Sequence, residues 1–415
     1  MINRLILPFL MLLNISFPKS KEEIQQQILN ILSKLSPTTK VGMMIYNPLT
    51  QDTIISLNHT QPMIPASNNK LFTTATALSL MGGSYPLSTK ILSDDDDFED
   101  GVLNGNIYIK GYGNSAFTED DLESMVLEVK NKGIKKITGN IIGDDTFFDD
   151  VYSRDDWIGD EISSVKLPPV SAIVIDRNIH VIYKKRGRRM RRYISYIQDP
   201  PQYAAELLKE ELQKSGIKCE SNCKKGEAPL NAFTLAESKI ELKELLKLIN
   251  KRSDNFLAEC LFKTLGAVSS GLQGNSFYST QAVLNFIEEN GIYSENTSVV
   301  DGSGISRFNQ ITVGAVTGLL EKMYFDLVNY QDFYNSFSIA GVDGTLAHRM
   351  IGTAAENNFH GKTGTLEGVI SLAGYLTTKK GDDLIISIFF EFNKNRGNYY
   401  RDIQDEIVQL LAEWE

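Results

Sequence analysis

PASNNKLFTTATALSLMGG, residues 65–83, reads as one apolar helix opened by a proline and closed by paired glycines. Inside it Ser67 and Lys70 stand three positions apart. Residues i and i+3 of a helix share a face, so both side chains enter one pocket. A serine hydroxyl is a weak nucleophile until a base takes its proton, and a lysine one turn along is one such base. The unpaired N–H groups at a helix start also favour developing negative charge there. The spacing by itself selects nothing, because S-x-x-K occurs five times, at Ser16, Ser67, Ser163, Ser215 and Ser221. Only Ser67 opens a long apolar helix; the others lie in the N-terminal leader or in polar or proline-flanked stretches.

Two further motifs separate Ser67 from its rivals. Ser253-Asp254-Asn255 precedes the apolar run FLAECLFKTLG, and Lys362-Thr363-Gly364-Thr365 sits in HGKTGTLEGV just before an apolar strand. Each is weak alone: S-x-N also occurs at Ser56, Ser67 and Ser294, and a second K-S-G stands at Lys214-Ser215-Gly216 in a polar loop. S-x-x-K, S-D-N and K-T-G together form the signature of penicillin-binding proteins and class A β-lactamases. Here they occur in that order, each in its expected context.

On these residues the chain resembles the low-molecular-mass class C penicillin-binding proteins, the D-alanyl-D-alanine carboxypeptidase/endopeptidases. The stretches that carry the likeness are PASNNKLFTTATAL, LINKRSDNFLAE, VDGSGISR, SIAGVDGTLAHRM and GKTGTLEGVISLAGYL, with PPVSAIVIDRN in the middle. The 186 residues from Ser67 to Ser253 fit a family with inserted domains, and exceed the interval of class A β-lactamases. GYGNSAF departs from the turn the family usually carries there. The resemblance implies an acyl-enzyme on Ser67, Lys70 as base, its pKa depressed with the help of a crowded cationic pocket containing Lys362, and Ser253 as proton relay. It implies Asn255 on the substrate amide and Lys70, and Lys362 and Thr363 on the terminal carboxylate. Gly364 would let the substrate backbone pass closely, and the N–H groups of Ser67 and Thr365 would form the oxyanion hole. The VDGSG and GVDGT segments read as loops that shape the site. Peptidoglycan peptides are the implied substrates, β-lactams the implied inhibitors, and no cofactor or metal is required.

The rest of the chain fits that frame. Ile24, Ile28, Leu32 and Leu35 recur at helical spacing, then VGMMIYN and DTIISLN read as strands around NPLTQ. At the other end EGVISLAGYL and DLIISIFFEF form a hairpin through TTKKGD, followed by a helix with Ile403, Ile407, Leu410, Leu411 and Trp414 on one face. The expected fold class is α/β (α+β). A penicillin-binding transpeptidase-like domain, with an antiparallel sheet flanked by helices, is built from residues 21–87 and 236–415. It is split by a β-rich insertion over 88–235, read as one or two nested units. Within the insertion DDDDFEDG and GDDTFFDDVYSRDDW lack the glycine and terminal glutamate of a calcium loop, and read as solvated.

The chain has 415 residues and a net charge of -10, which disfavours nucleic acid or anionic membrane as a general partner. KKRGRRMRRY, residues 184–193, runs against that balance; it reads as the solvated turn of a hairpin, with a polyanion patch as the rival. Arg4 followed by the apolar run Leu5 to Phe17 reads as a secretory signal over residues 1–20, implying a periplasmic or secreted protein without an integral membrane span. Cys219 and Cys223 could pair locally in an oxidising compartment, and Cys260 reads as a buried helix residue. The four histidines show no metal-ligand spacing. Two rival functions remain: a β-lactamase, and a non-catalytic peptidoglycan-binding scaffold of the same fold. No deacylation carboxylate is recognisable for the first, and the intact motifs speak against the second.

Overall fold

Lys40–Asn47 and Asp383–Glu391 are both rich in β-branched and aromatic residues, and they lie side by side: Val41 faces Phe390 and Tyr46 faces Ile385, antiparallel. This pairing joins the two ends of the chain. The computed structural model describes residues 19–157, 167–187, 189–293, 295–393 and 396–415. The leader expected over 1–20 lies outside them except for Lys19 and Ser20, and Ser16 and Ser163 also lie outside them.

The sheet has six strands, in the order Ser338–Ile339, His360–Leu366, Val369–Thr377, Asp383–Glu391, Lys40–Asn47, Asp52–Leu57, and every pairing is antiparallel. Both of its faces are covered, which is why Val369–Thr377 is apolar almost without alternation. On one face lie Ile24, Ile28 and Ile31 of the helix Lys21–Leu32, with Ile403, Ile407 and Leu411 of the helix Gly397–Ala412. Ser20 and Glu23 cap the first of these helices reciprocally. The other face carries the helices Asn69–Met81, Leu242–Arg252, Asn255–Ser270, Ser276–Glu289 and Val313–Tyr324 around one apolar cluster. Residues 69–78 are buried all round, so this helix forms the middle of that cluster. Gly82, at φ 76°, ends it.

Between the helices Asn69–Met81 and Leu242–Arg252 the chain builds a second core. Pro86–Ser93 enters it and Phe233–Glu241 leaves it, paired antiparallel with Leu87 opposite Ile240. Phe233–Glu241 is one edge of a five-stranded sheet that continues through Pro86–Ser93, Ile107–Tyr112 and Ile141–Asp144 to Cys223–Lys225. Two helices, Glu119–Asn131 and Pro200–Lys214, supply Leu122, Met125, Leu208 and Leu212 to its core. Ile179–Arg186 and Arg189–Tyr196 form a separate two-stranded ribbon with Gly187 in its turn at φ 65°, the hairpin expected of the basic run.

The insertion is tied firmly to the helices that cover the six-stranded sheet. Trp157, Val170 and Val174 enter their apolar cluster. Arg154 donates to Ser276 Oγ (2.7 Å) and to the Val300 carbonyl (2.6 Å). The acidic loop after Gly143, expected to be solvated, is the other half of this clamp. Asp144 is buried against Lys110 at 2.8 Å, Asp145 accepts from Tyr152 and Ser171, and Asp149 meets the buried Lys263 of the helix Asn255–Ser270. The charge run was misread because its cationic partners lie far away in sequence. Cys219 and Cys223 are free thiols, each donating to a backbone carbonyl, and burial pushes Cys219 up to about 11. Among the described residues no helix is long and apolar enough to cross a membrane.

Candidate active site

Ser67 lies in a single tight turn, Ala66–Asn68, between the sheet and its helix. Ala66 adopts φ 48°, a left-handed conformation that costs a residue with a Cβ roughly 1–3 kcal/mol and persists only where the surroundings impose it. They do so here. Ser371 Oγ donates to the Pro65 carbonyl (2.6 Å) and accepts from Asn68 Nδ2 (2.7 Å), pinning the turn to the sheet. On the other side Asn69 Nδ2 donates to the Asp301 carbonyl (2.6 Å), and Thr73 Oγ1 to that of Gly302 (3.0 Å).

The loop holding Asp301 to Ser306 is folded around two buried carboxylates. Asp301 accepts from the N–H groups of Gly304 (2.7 Å) and Ser306 (2.8 Å), and Glu259 accepts from that of Ser303 (2.8 Å). Burial and the neighbouring Asp301 push Glu259 up to about 8. The loop's contribution to the site is a backbone carbonyl. Lys70 Nζ donates to Ser303 O (2.6 Å), Asn255 Oδ1 (2.7 Å) and Ser67 Oγ (2.9 Å).

These three bonds use all the donors of an ammonium group. A neutral amine has two N–H donors and one lone pair. With Ser303 and Asn255 accepting the two N–H groups, the lone pair points at Ser67 Oγ. Burial brings Lys70 down to about 8, against the carboxylates of Asp301, Glu259 and Asp254, which push it up. Lys362 was expected to depress Lys70. Instead burial lowers both lysines, and the repulsion is felt at Lys362, which is held well below the usual lysine range.

The helix Leu242–Arg252 stops at Ser253, which is left-handed at φ 54°, and Asp254 caps the next helix by accepting from Leu257 N–H (3.1 Å). The cap turns Ser253 and Asn255 toward the two lysines: Asn255 reaches Lys70, and Ser253 Oγ accepts from Lys362 Nζ (2.8 Å). Lys362 also donates to the Thr363 carbonyl (2.7 Å). The strand His360–Leu366 therefore runs beside Ser67, and it can do so because residue 364 is glycine. A Cβ there would collide with Ser371 Oγ and sit 2.8 Å from the Pro65 carbonyl and 3.0 Å from Ser67 N. Gly364→Val is accordingly expected to slow acylation by about 100-fold, the scale of a 1 Å misplacement of reacting groups. Stopped-flow acylation by a fluorescent penicillin measures it.

The structure brings Ser67, Lys70, Ser253, Asn255, Lys362, Thr363 and Gly364 into one cluster, with Thr365 next along the strand; the Thr365 side chain is exposed and accepts from Arg401 (3.3 Å). The other two described S-x-x-K serines donate to backbone carbonyls outside the cluster: Ser215 Oγ to Leu212 O and Ser221 Oγ to Thr138 O. Two neighbours were not singled out by sequence. Arg177 of the insertion grips Asp254 with both terminal nitrogens (2.8 and 2.9 Å) and lies 5.0 Å over the Phe256 ring. Thr345 accepts from Thr363 Oγ1 (2.8 Å). Their only signal was membership in the quoted stretches PPVSAIVIDRN and GVDGT. Among the described residues no group of His, Cys, Asp and Glu is placed to hold a metal.

Known proteins share this architecture. The chain is 26% identical over 414 residues to D-alanyl-D-alanine carboxypeptidase DacB of Haemophilus influenzae, covering 85% of each chain. It is 26% identical over 442 residues to a D-alanyl-D-alanine carboxypeptidase of an Actinomadura species, covering 90% of this chain and 81% of that one. The crystal structure of penicillin binding protein 4 from Haemophilus influenzae superposes with a TM-score of 0.79 at 23% identity, over 92% of this chain and 97% of that one, which shows the same fold. The family model for D-Ala-D-Ala carboxypeptidase 3 (S13) matches residues 24–190 and 187–414. With nearly its whole length matched, the chain belongs to the D-Ala-D-Ala carboxypeptidase 3 (S13) family, the low-molecular-mass class C penicillin-binding proteins.

Proposed function

We propose that this DD-peptidase cleaves the terminal D-Ala-D-Ala bond of peptidoglycan stem peptides through an acyl-enzyme on Ser67. The observation that carries the reading is the buried Lys70 ammonium shared by Ser67, Asn255 and Ser303, with the lysine down at about 8. Neutral Lys70 takes the Ser67 proton as Oγ attacks the penultimate D-Ala carbonyl. The N–H groups of Ser67 and Thr365 hold the resulting oxyanion. The C–N bond then breaks, and the departing D-Ala amine takes a proton through Ser253, which Lys362 orients. Water hydrolyses the ester and frees Ser67. A β-lactam would follow the same first step, its ring amide in place of the peptide bond. The extracytoplasmic site of action, reached by way of the N-terminal leader, follows from the substrate.

The terminal carboxylate meets Lys362 and Thr363. Thr363 Oγ1 donates to Thr345, Thr345 lies 3.2 Å from Ser338 Oγ, and Ser338 donates to the Lys251 carbonyl (3.1 Å). That chain of hydroxyls ends on an acceptor, so the single Thr363 hydroxyl proton is held by Thr345 in the free enzyme and a substrate carboxylate competes with Thr345 for it. Thr345→Val removes this competing acceptor and is expected to lower KM for D-Ala-D-Ala peptides about 5-fold, the scale of one hydrogen bond, with kcat little changed. Steady-state D-Ala release measures both.

The assignment is tested by incubating the protein with an N-acylated pentapeptide ending in D-Ala-D-Ala and with a chromogenic cephalosporin. Release of D-Ala with slow cephalosporin turnover supports it. Fast cephalosporin turnover without D-Ala release identifies a β-lactamase, and inertness toward both identifies a scaffold.

A further inference from the structure

Seven of the nine residues 184–192 are Lys or Arg, on a chain whose net charge is -10. The ribbon that carries them is exposed along both strands except at its base pair, Ile179 and Tyr196. Among the described residues none of its cations is paired with a carboxylate. Cross-strand partners point to the same face, and successive residues to opposite faces. One face therefore presents Val181 and Ile194, Tyr183 beside Arg192, and Met190 beside Lys185. The other presents Ile182 and Tyr193, then Lys184, Arg191, Arg186 and Arg189 toward the tip. The first face is mainly apolar and the second mainly cationic. Tyr183 and Met190 are each 62% exposed and Ile194 is 51% exposed. A two-stranded ribbon is marginal in water without a covered face, so these side chains call for a partner surface.

We propose that this ribbon docks the protein on an anionic phospholipid bilayer. The charge pattern calls for phosphate, but a soluble polyanion would leave the six exposed apolar side chains in water. A bilayer interface takes both: aliphatic and aromatic groups enter the headgroup boundary while lysine and arginine reach the phosphates. The negative charge of the body does not cancel the attraction. Eight residues of strand extend about 26 Å, whereas charges are screened beyond about 8 Å at physiological salt. The ribbon's base follows Arg177, which grips Asp254, while its basic tip takes no part in the catalytic cluster.

Sedimentation of the full chain with vesicles tests this, using phosphatidylcholine alone and with about one third phosphatidylglycerol. The wild type is expected to bind the anionic vesicles at least about tenfold more tightly, and less so as salt rises. Lys184→Gln, Lys185→Gln, Arg191→Gln and Arg192→Gln together should weaken binding on the order of 100-fold or more. Tyr183→Ser with Ile194→Ser should weaken it about tenfold at unchanged salt dependence. Melting profiles matching the wild type show that the variants fold, and binding is read without turnover, so it is independent of the role of Ser67. Equal affinity for both vesicles overturns the proposal. So does wild-type binding by the serine variant with displacement by soluble polyphosphate, which marks a polyanion site. A dimer in solution that the glutamine variant abolishes, with vesicle binding intact, marks a contact between copies and also overturns it.

Discussion

Ser67→Ala is expected to lower kcat/KM for D-Ala release by at least about 10⁴-fold, and to abolish covalent labelling by penicillin. The size follows from the chemistry. The oxyanion donors and the carboxylate pocket survive the substitution, so some stabilisation of a water-attack transition state remains, but no covalent intermediate can form. The fold should be untouched. Ser67 is half-buried and its Oγ hydrogen bond runs to Lys70, which keeps two other acceptors. An unchanged melting temperature with lost activity separates a nucleophile from a structural serine. D-Ala release at the wild-type rate would remove Ser67 from the mechanism.

Lys70→Met carries the second large effect, a loss of about 10³-fold in the acylation rate, within the range supplied by a positioned general base. The pH dependence gives a finer reading. In its proposed role as base Lys70 has to be neutral, and burial brings it down to about 8. The acylation rate should therefore fall tenfold for each pH unit below about 8 and level off above it. In its proposed role Lys362 meets the carboxylate as a cation, and it is also held below the usual lysine range, so KM should rise on the alkaline side. A substrate carboxylate pushes Lys362 up, so this limb belongs to the free enzyme and should fade in kcat. Stopped-flow acylation across pH 6–10 reads both limbs. A profile flat from pH 6 upward would show that Lys70 is not the base.

Much of this architecture was legible because the sequence repeats its signals locally. Ile403, Ile407 and Leu411 mark one helix face, and TTKKGD marks the hairpin whose strands lie at the centre of the sheet. Ser67 was legible only in combination, since neither Ser215 nor Ser221 differs from it in spacing. What escaped was non-local. Arg177 and Asp254 are 77 positions apart, and nothing in either segment names the other. The carboxylates after Gly143 looked solvated because Lys110 and Lys263 come from distant elements. The strain at Ala66 is imposed by Ser371 and the loop after Asp301, so an alanine gives no warning of it. The helices Glu119–Asn131 and Pro200–Lys214 were the local failure: Leu122, Met125, Val126 and Val129 carry the helical period, masked by the acidic residues around them.

Three distant motifs converge on Ser67, the residue proposed to be acylated. Intact-mass spectrometry after incubation with benzylpenicillin, followed by peptide mapping, tests it most directly. A single adduct of one penicillin per chain is expected on the peptide bearing Ser67, and none in Ser67→Ala. An adduct on Ser253 or any other residue, or one that persists in Ser67→Ala, would contradict it.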